Sequence, residues 1–412
     1  LISLTAVALL GFNLSRRGWR LPLIAVSMWL VVSLVAGGLY PWFVQRFQVE
    51  PNPTAREQPY LADNIAATRA AFGLDNVEEL NFDYTKQPTD AAIAENQATI
   101  ENIRLLDPVV VEDTYSTLES KFDFYAFNDL DVDRYLIDGR PTQVVLGTRD
   151  LSPGGVPRKT WESQHLAYTH GYGVAMAPAN AVNADGEPDF NVGDVPWRPI
   201  GDRETLIELE RPEIYVGEDI DTAGVDYSIV GTSVQEINGD ADAPPYEGDG
   251  GVSIGSLPRK LAFAIRFGQI DPLITDNLTA DSRTIYIRDV ADRVRTTLPF
   301  VAWDSDPYPV LIDGGISYVV DGYTVSNRYP YAQQAITEGL NPASDLLGLD
   351  FNYIRNSVKA VVNAYDGTVE LYLSDTLYGD PDPIIRAYAS AMPGLFSEID
   401  EMDTVVRAHL RY

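Results

Sequence analysis

Apolar and polar positions divide the chain into two unlike parts. Leu21 to Phe43 runs 23 residues without a charge, and as a helix that stretch extends about 34 Å, enough to cross the hydrocarbon core of a bilayer. Leu1 to Leu14 is also apolar and uncharged but too short to span; it reads as the end of a truncated transmembrane helix. Between the two lies Ser15-Arg16-Arg17-Gly18-Trp19-Arg20, a basic loop that the positive-inside rule places in the cytoplasm. The region after the span is then extracytoplasmic. Tyr40 and Trp42 suit an aromatic belt at the outer interface, and Trp19 the inner one. A signal peptide is the rival reading, but its apolar core would be shorter and would not follow a second apolar stretch.

After the span the pattern changes to short runs broken by Gly, Pro, Asn and Asp. Residues 44–59 are expected to form a linker, made stiff and extended by Glu50-Pro51-Asn52-Pro53, because proline removes a donor and disfavours helix in the residue before it. Helices are predicted at Leu61 to Leu74 and at Thr89 to Leu106, the second capped by Thr89 or Asp90 and stopped by Pro108. Three β-hairpins follow from Asp-Gly pairs between apolar runs: Asp138-Gly139, Asp313-Gly314 and Asp366-Gly367. Ser256-Leu257-Pro258 reads as the cap and first turn of a helix with Leu257, Leu261 and Ile265 on one face. Asp281 to Leu298 reads as another, with Ile287, Val290, Val294 and Leu298 in one stripe ended by Pro299. Asn238 to Gly251 has almost nothing to bury and is expected to be a mobile surface loop. The fold class is α+β: N-terminal transmembrane helices, then residues 60–412 as a mixed helix and β-hairpin region of one or two subdomains, cut short at its C-terminus.

Charge sharpens the division. The net charge is −30, yet Arg16, Arg17, Arg20 and Arg46 against Glu50 make residues 1–50 +3, so residues 51–412 carry −33. Nucleic acid is excluded as a partner by that field. Cations or basic proteins suit it, although a solvated acidic surface that keeps an exported domain soluble accounts for the same charge. The chain has no cysteine, which excludes disulfides, thiolate metal sites and a cysteine nucleophile.

Four segments in order, Gln164-His165-Leu166-Ala167-Tyr168-Thr169-His170-Gly171-Tyr172-Gly173, Leu261-Ala262-Phe263-Ala264-Ile265-Arg266-Phe267-Gly268, Asp304-Ser305-Asp306-Pro307-Tyr308-Pro309 and Tyr353-Ile354-Arg355-Asn356-Ser357-Val358-Lys359-Ala360-Val361-Val362, resemble uncharacterised protein family 0182. The resemblance covers essentially the whole chain, including the closing His409-Leu410-Arg411-Tyr412. It implies a multispanning protein of the bacterial plasma membrane with a large extracellular region, of which this chain is a middle fragment. It implies no activity.

Candidate chemistry lies in three places. His165 and His170, with Glu162 nearby, have the side chains for zinc binding or proton transfer, but a spacing of five puts the rings on opposite sides of a strand and is not that of a zincin helix. The alternative is two histidines hydrogen-bonded within a buried turn. From Ser256 to Phe300, Arg259, Lys260, Arg266, Arg283, Arg288, Arg293 and Arg295 make a locally basic island suited to an anionic lipid head group, a glycan or an acidic segment; internal salt bridges are the alternative. Asp129, Asp131 and Asp133, and Asp304 with Asp306, have the alternation of calcium ligands but lack the glycine and closing glutamate of an EF-hand; turn and cap roles compete. Calcium and zinc are thus the cofactors considered. No nucleophile elbow, Walker loop or dinucleotide fingerprint is present. The expected function is non-enzymatic: an envelope protein anchored in the lipid bilayer whose exported domain binds a partner protein or envelope component. A metal- or histidine-assisted hydrolase and a lipid- or anion-handling protein are the alternatives.

Overall fold

The computed structural model describes residues 2–16, 18–74, 77–78, 80–81, 87–201, 208–218, 220, 226–377 and 380–411; Leu1, Arg17 of the basic loop and Tyr412 of the closing motif lie outside them. The chain forms two compact units, Leu1–Thr85 and Lys86–Tyr412.

In the first unit, α1 (Ile2–Arg16) packs on α2 (Arg20–Leu34). From α2 the chain stays helical through a π turn at Val35–Leu39, an α segment at Tyr40–Val44 and a second π turn at Gln45–Val49. Pro22–Val49 is the one described helix long and apolar enough to cross a membrane; the apolar part of α1, Ser3–Phe12, is shorter. The helix passes the predicted end at Phe43. In a regular helix the ring of Pro41 would strike the carbonyl four residues back, and the π turn around Gly37-Gly38 widens the backbone there. Only 50–52 separate this helix from α3 (Pro53–Ala71), so the stiff linker expected over residues 44–59 is instead helical on both sides of a short turn. Pro53 sits in the first turn, where a missing N–H costs nothing.

In the second unit, Thr89 caps its helix by accepting from Ala92 N–H, but that helix breaks into Asp90–Glu95 and Gln97–Ile100. Pro108 does not merely stop it: Asp107 caps α4 (Pro108–Glu119), which starts there. All three hairpins form. Strands β1 (Asp131–Ile137) and β2 (Arg140–Thr148) join through Asp138 at φ 51° and Gly139 at φ 71°, the left-handed pair of a two-residue hairpin. With β3 (Val174–Pro178), β4 (Val192–Gly193) and β5 (Arg198–Pro199) they make a five-stranded antiparallel meander. A small three-stranded sheet has β8 (Arg283–Tyr286) between β6 (Tyr227–Val230) and β7 (Val252–Ser253). The long β11 (Gly315–Ser326) carries β9 (Ala302–Trp303) and β10 (Tyr308–Ile312) on one edge and β12 (Tyr353–Asn363) on the other; β13 (Val369–Leu373) and β14 (Ser397–Glu398) complete six strands.

The five- and six-stranded sheets share the main core, where Tyr135, Leu146 and Met176 meet Leu311, Tyr318, Val320 and Val358. Their outer faces are covered too: Tyr115 of α4 lies on Val145 and Ala175, and Met402 and Val406 lie on Val310, Val319 and Val361. Strands buried on both faces read as continuous apolar runs, as Val144–Leu146 and Val174–Ala177 do.

Two predictions fail informatively. The helix expected over Asp281–Leu298 is β8 followed by α7 (Val290–Thr297), because Ile287 turns the chain at φ 53° and Asp289 caps the new helix. Val290, Val294 and Leu298 do form its buried stripe. The segment Asn238–Gly251, expected to be a mobile loop, is instead fastened to the core. Tyr246 packs against Tyr215 and Tyr365, and the Arg283 guanidinium donates to the carbonyls of Asp249, Gly250 and Gly251.

Candidate functional site

The histidine segment lies inside the protein. His165 sits in a π turn, Ser163–Ala167, between α5 (Leu257–Phe267) and β6, with its ring stacked on Tyr227 and its Nδ1–H donating to the Tyr227 carbonyl at 2.8 Å. His170 Nδ1–H donates to the Gly171 carbonyl at 2.8 Å. Burial pushes both imidazoles down to about 4, so both are neutral. Glu162 is exposed and accepts from Asn277 instead. These three residues form no ligand cluster.

The basic island separates as well. Arg288 is fully buried, its guanidinium donating to the carbonyls of Tyr215 and Thr169. Arg293 clamps the carbonyls of Gly367, Tyr286 and Ile287. With Arg283 on the 249–251 segment, three of the four candidate anion-binding arginines face backbone. A planar fork with five donors is well suited to irregular carbonyls, which the salt-bridge alternative overlooked. Arg295 pairs with carboxylates, Asp292 and Asp345. Arg266 is exposed, its guanidinium 5.0 Å from the centre of the Tyr286 ring.

The aspartates do converge, in part. Asp129, Asp131 and Asp306 bring one carboxylate oxygen each to within 4.8 Å of one another. Asp129 lies in the turn before β1, Asp131 on the inward face of β1, and Asp306 in the loop between β9 and β10. Asp133 is excluded because two residues along a strand move it about 6–7 Å; there it meets His409 Nδ1 at 2.7 Å. Asp304 is excluded because it holds a turn, accepting from Tyr323 O–H at 2.7 Å and from Asp306 N–H.

Glu218 lies near enough to feel their charges, but its carboxylate is not among the oxygens that converge within 4.8 Å. Asn128 Nδ2 donates to its carbonyl at 2.9 Å, and Glu218 Oε1 is shielded from solvent without accepting a hydrogen bond. Burial holds its carboxyl well above the usual range, reinforced by the charges of Asp131, Asp150, Asp129 and Asp306. Burial likewise raises Asp131 to about 7, against the pull of Arg411. Half-exposed Asp306 reaches about 6, first through the loss of water on its inner side and then through contact with the Asp129 carboxyl. The neighbouring Asp150 accepts from the Thr148 and Tyr318 hydroxyls, and at Gly217 a side chain would collide with its Oδ1.

One cation faces this nest. Arg411 Nη2 donates to Asp131 Oδ1 at 2.5 Å, Nη1 lies 3.8 Å from Asp306, and the guanidinium stacks over Tyr308 at 4.1 Å. Among the described residues, three converging carboxylates and the nearby Glu218 against the Arg411 guanidinium leave a surplus of negative charge in a partly desolvated place. Such a group either holds protons at neutral pH or takes a cation. The donor set is all oxygen, which suits calcium and magnesium better than zinc, and the three oxygens lie close enough together to share one ion.

Sequence comparison adds the wider context. The family model described as "Uncharacterised protein family (UPF0182)" matches residues 1–412. The chain belongs to UPF0182. Among its relatives, a UPF0182 protein of Arthrobacter sp. (strain FB24) is 37% identical over 96% of this chain and 40% of its own length. Those of Geobacter sulfurreducens and Trichodesmium erythraeum are each 40% identical, over 99% and 96% of this chain and 43% of their own lengths. The chain thus spans about two fifths of the UPF0182 proteins it matches. No solved structure matches it.

Sequence reasoning missed Glu218 and Arg411. Glu218 follows an apolar run with no spacing to set it apart from other acids, and Arg411 stands 280 residues from its partner Asp131.

Proposed function

We propose that this UPF0182 chain belongs to a membrane-anchored envelope protein whose acidic domain binds a divalent cation of the calcium class at Asp129, Asp131 and Asp306, with Glu218 adding negative charge beside them, and in that form holds a partner protein or envelope component. The single observation that carries the reading is the convergence of one carboxylate oxygen each from Asp129, Asp131 and Asp306 within 4.8 Å of one another, in the field of Glu218, whose Oε1 is shielded from solvent and accepts no hydrogen bond. The ligands come from two distant parts of the chain, so a bound cation ties the start of β1 to the β9–β10 loop. The Pro22–Val49 helix and the arginines before it support an anchor with the acidic domain on the extracytoplasmic side of the plasma membrane, in a multi-pass protein. Calcium sites of extracellular modules bind at roughly 10⁻⁴–10⁻³ M, matched to calcium outside the cell.

Isothermal titration of the full chain in detergent with calcium tests this. One calcium per chain is expected, lost in the Asp131→Asn/Glu218→Gln double variant. Unchanged calcium binding by that variant, or no binding by the unaltered chain, sinks the proposal.

A further inference from the structure

The helix α5 buries Phe263 and Ala264 against β6 and the His165 turn, and turns its other face outward. On that face Leu257, Leu261 and Ile265 are 49 to 73% exposed, and Ile270 and Ile274, beside and within the short α6 (Asp271–Ile274), continue the ridge at 63 and 68%. Five large aliphatic side chains exposed on or between two consecutive helices that contact each other make an apolar patch on a strongly acidic domain. The flanks of the ridge are as unusual as its crest. From Ser256 to Ile274 the one acidic residue is Asp271, against Arg259, Lys260 and Arg266, in a region whose net charge is −33.

Of the basic island, these are the cations left facing solvent. Arg283, Arg288 and Arg293 are turned onto backbone carbonyls, while Arg266 and Arg259 are exposed, Arg259 with one Nη on the Ser253 carbonyl at 3.2 Å, and Lys260 is partly so. An apolar row bordered by basic side chains is the composition of a helix that lies in the interface of a bilayer, its aliphatic crest among the acyl chains and its cations at the phosphates. A protein partner would have to combine an apolar groove with acidic rims. A lipid surface supplies both continuously, and a chain that carries its own membrane-length helix meets that surface at high local concentration.

We infer that the α5–α6 ridge docks on an anionic lipid surface, with Leu257, Leu261, Ile265, Ile270 and Ile274 inserted and Arg259, Lys260 and Arg266 on the lipid phosphates. This goes beyond the cation-site reading and uses none of its residues.

The absence of cysteine makes a clean test possible. Single variants Ile265→Cys, Leu136→Cys and Val26→Cys of the full chain carry an environment-sensitive fluorophore in nanodiscs of phosphatidylglycerol or of phosphatidylcholine, each with or without a lipid-borne quencher. Val26 reports insertion of the apolar helix, and Leu136, exposed on β1, reports a surface away from the ridge. The expected result is a blue-shifted Ile265 probe, quenched from the lipid in phosphatidylglycerol several-fold more than the Leu136 probe. That difference should be lost on Arg259→Glu/Lys260→Glu/Arg266→Glu and weakened in phosphatidylcholine.

Equal quenching at Ile265 and Leu136 overturns the proposal. So does an Ile265 probe already blue-shifted in detergent and indifferent to lipid, which would mean that a second copy or another protein surface covers the ridge. If the Val26 probe escapes the lipid quencher, the anchor reading fails by itself. Flotation of the chain with phosphatidylglycerol vesicles then decides the ridge proposal: charge-dependent co-flotation upholds it and absence of co-flotation overturns it.

Discussion

Removing divalent cations should make the acidic domain less stable as pH rises through neutrality, opposite to the usual behaviour of paired carboxylates. Asp131 is 5% exposed, and burial lifts its pKa from 3.8 to about 7. Between those values the native state holds a proton that the unfolded chain releases. Unfolding free energy therefore falls as pH rises through that window and levels off above it. At 1.36 kcal/mol for each pH unit, Asp131 alone contributes a loss of about 4 kcal/mol from end to end. Glu218 pushes in the same direction. Calcium binds the ionised nest, so its effect should be absent near about pH 4 and full above about pH 7. At a hundred times its dissociation constant it restores about 2.7 kcal/mol, roughly 4 °C in Tm for a domain of this size. Thermal unfolding followed by tryptophan fluorescence, with chelator or calcium across this pH range, measures both. A chelated protein whose Tm rises from acid to neutral pH, or a calcium effect of equal size at both ends, would refute the reasoning.

Further outcomes follow from the same geometry. Arg411→Gln should lower the Tm of the chelated protein yet tighten calcium binding, because it removes the one guanidinium that competes for Asp131; paired melting and titration curves read the two signs. Lys359 and Asp321 form a fully buried ion pair, so Lys359→Met should cost about 3–5 kcal/mol in urea unfolding by stranding Asp321, and adding Asp321→Leu should recover most of it. Asp382 accepts from the Thr324, Ser357 and Tyr353 hydroxyls and from Ile384 N–H, which hold its carboxyl below the usual range. Asp382→Ala should then destabilise by about 1–3 kcal/mol above the ordinary carboxylate range, a difference that shrinks as acid protonates the parent. Leu298→Ala, at a fully buried end of the α7 stripe, should cost about 2–5 kcal/mol.

The sequence by itself determined what depends on neighbours along the chain. The uncharged run before Phe43 specifies a membrane-length helix, and each Asp-Gly pair specifies a hairpin, because positive φ, at both residues of Asp138-Gly139 and Asp313-Gly314 and at Gly367 of the third pair, is a local demand. Thr89 as a cap and the apolar stripe Val290, Val294 and Leu298 belong to the same class. Local signals failed where a residue's role is set across the fold. Ile287 extends the helical spacing of α7 but sits in a left-handed turn imposed by β8 pairing with β6. Arg283, Arg288 and Arg293 looked like anion ligands until the backbone carbonyls they clamp, from 6 to 119 residues away, came into place.

The candidate site shows the same division within one cluster. The runs Asp129-x-Asp131-x-Asp133 and Asp304-x-Asp306 mark carboxylates able to ligate a cation. Only tertiary structure selects Asp129, Asp131 and Asp306, gives Asp133 to His409 and Asp304 to a turn, and adds Glu218 and Arg411. Alternation along a strand says which side chains share a face. How many charges gather there depends on segments hundreds of residues apart, and so, with the water that burial removes, does whether they hold protons or a cation.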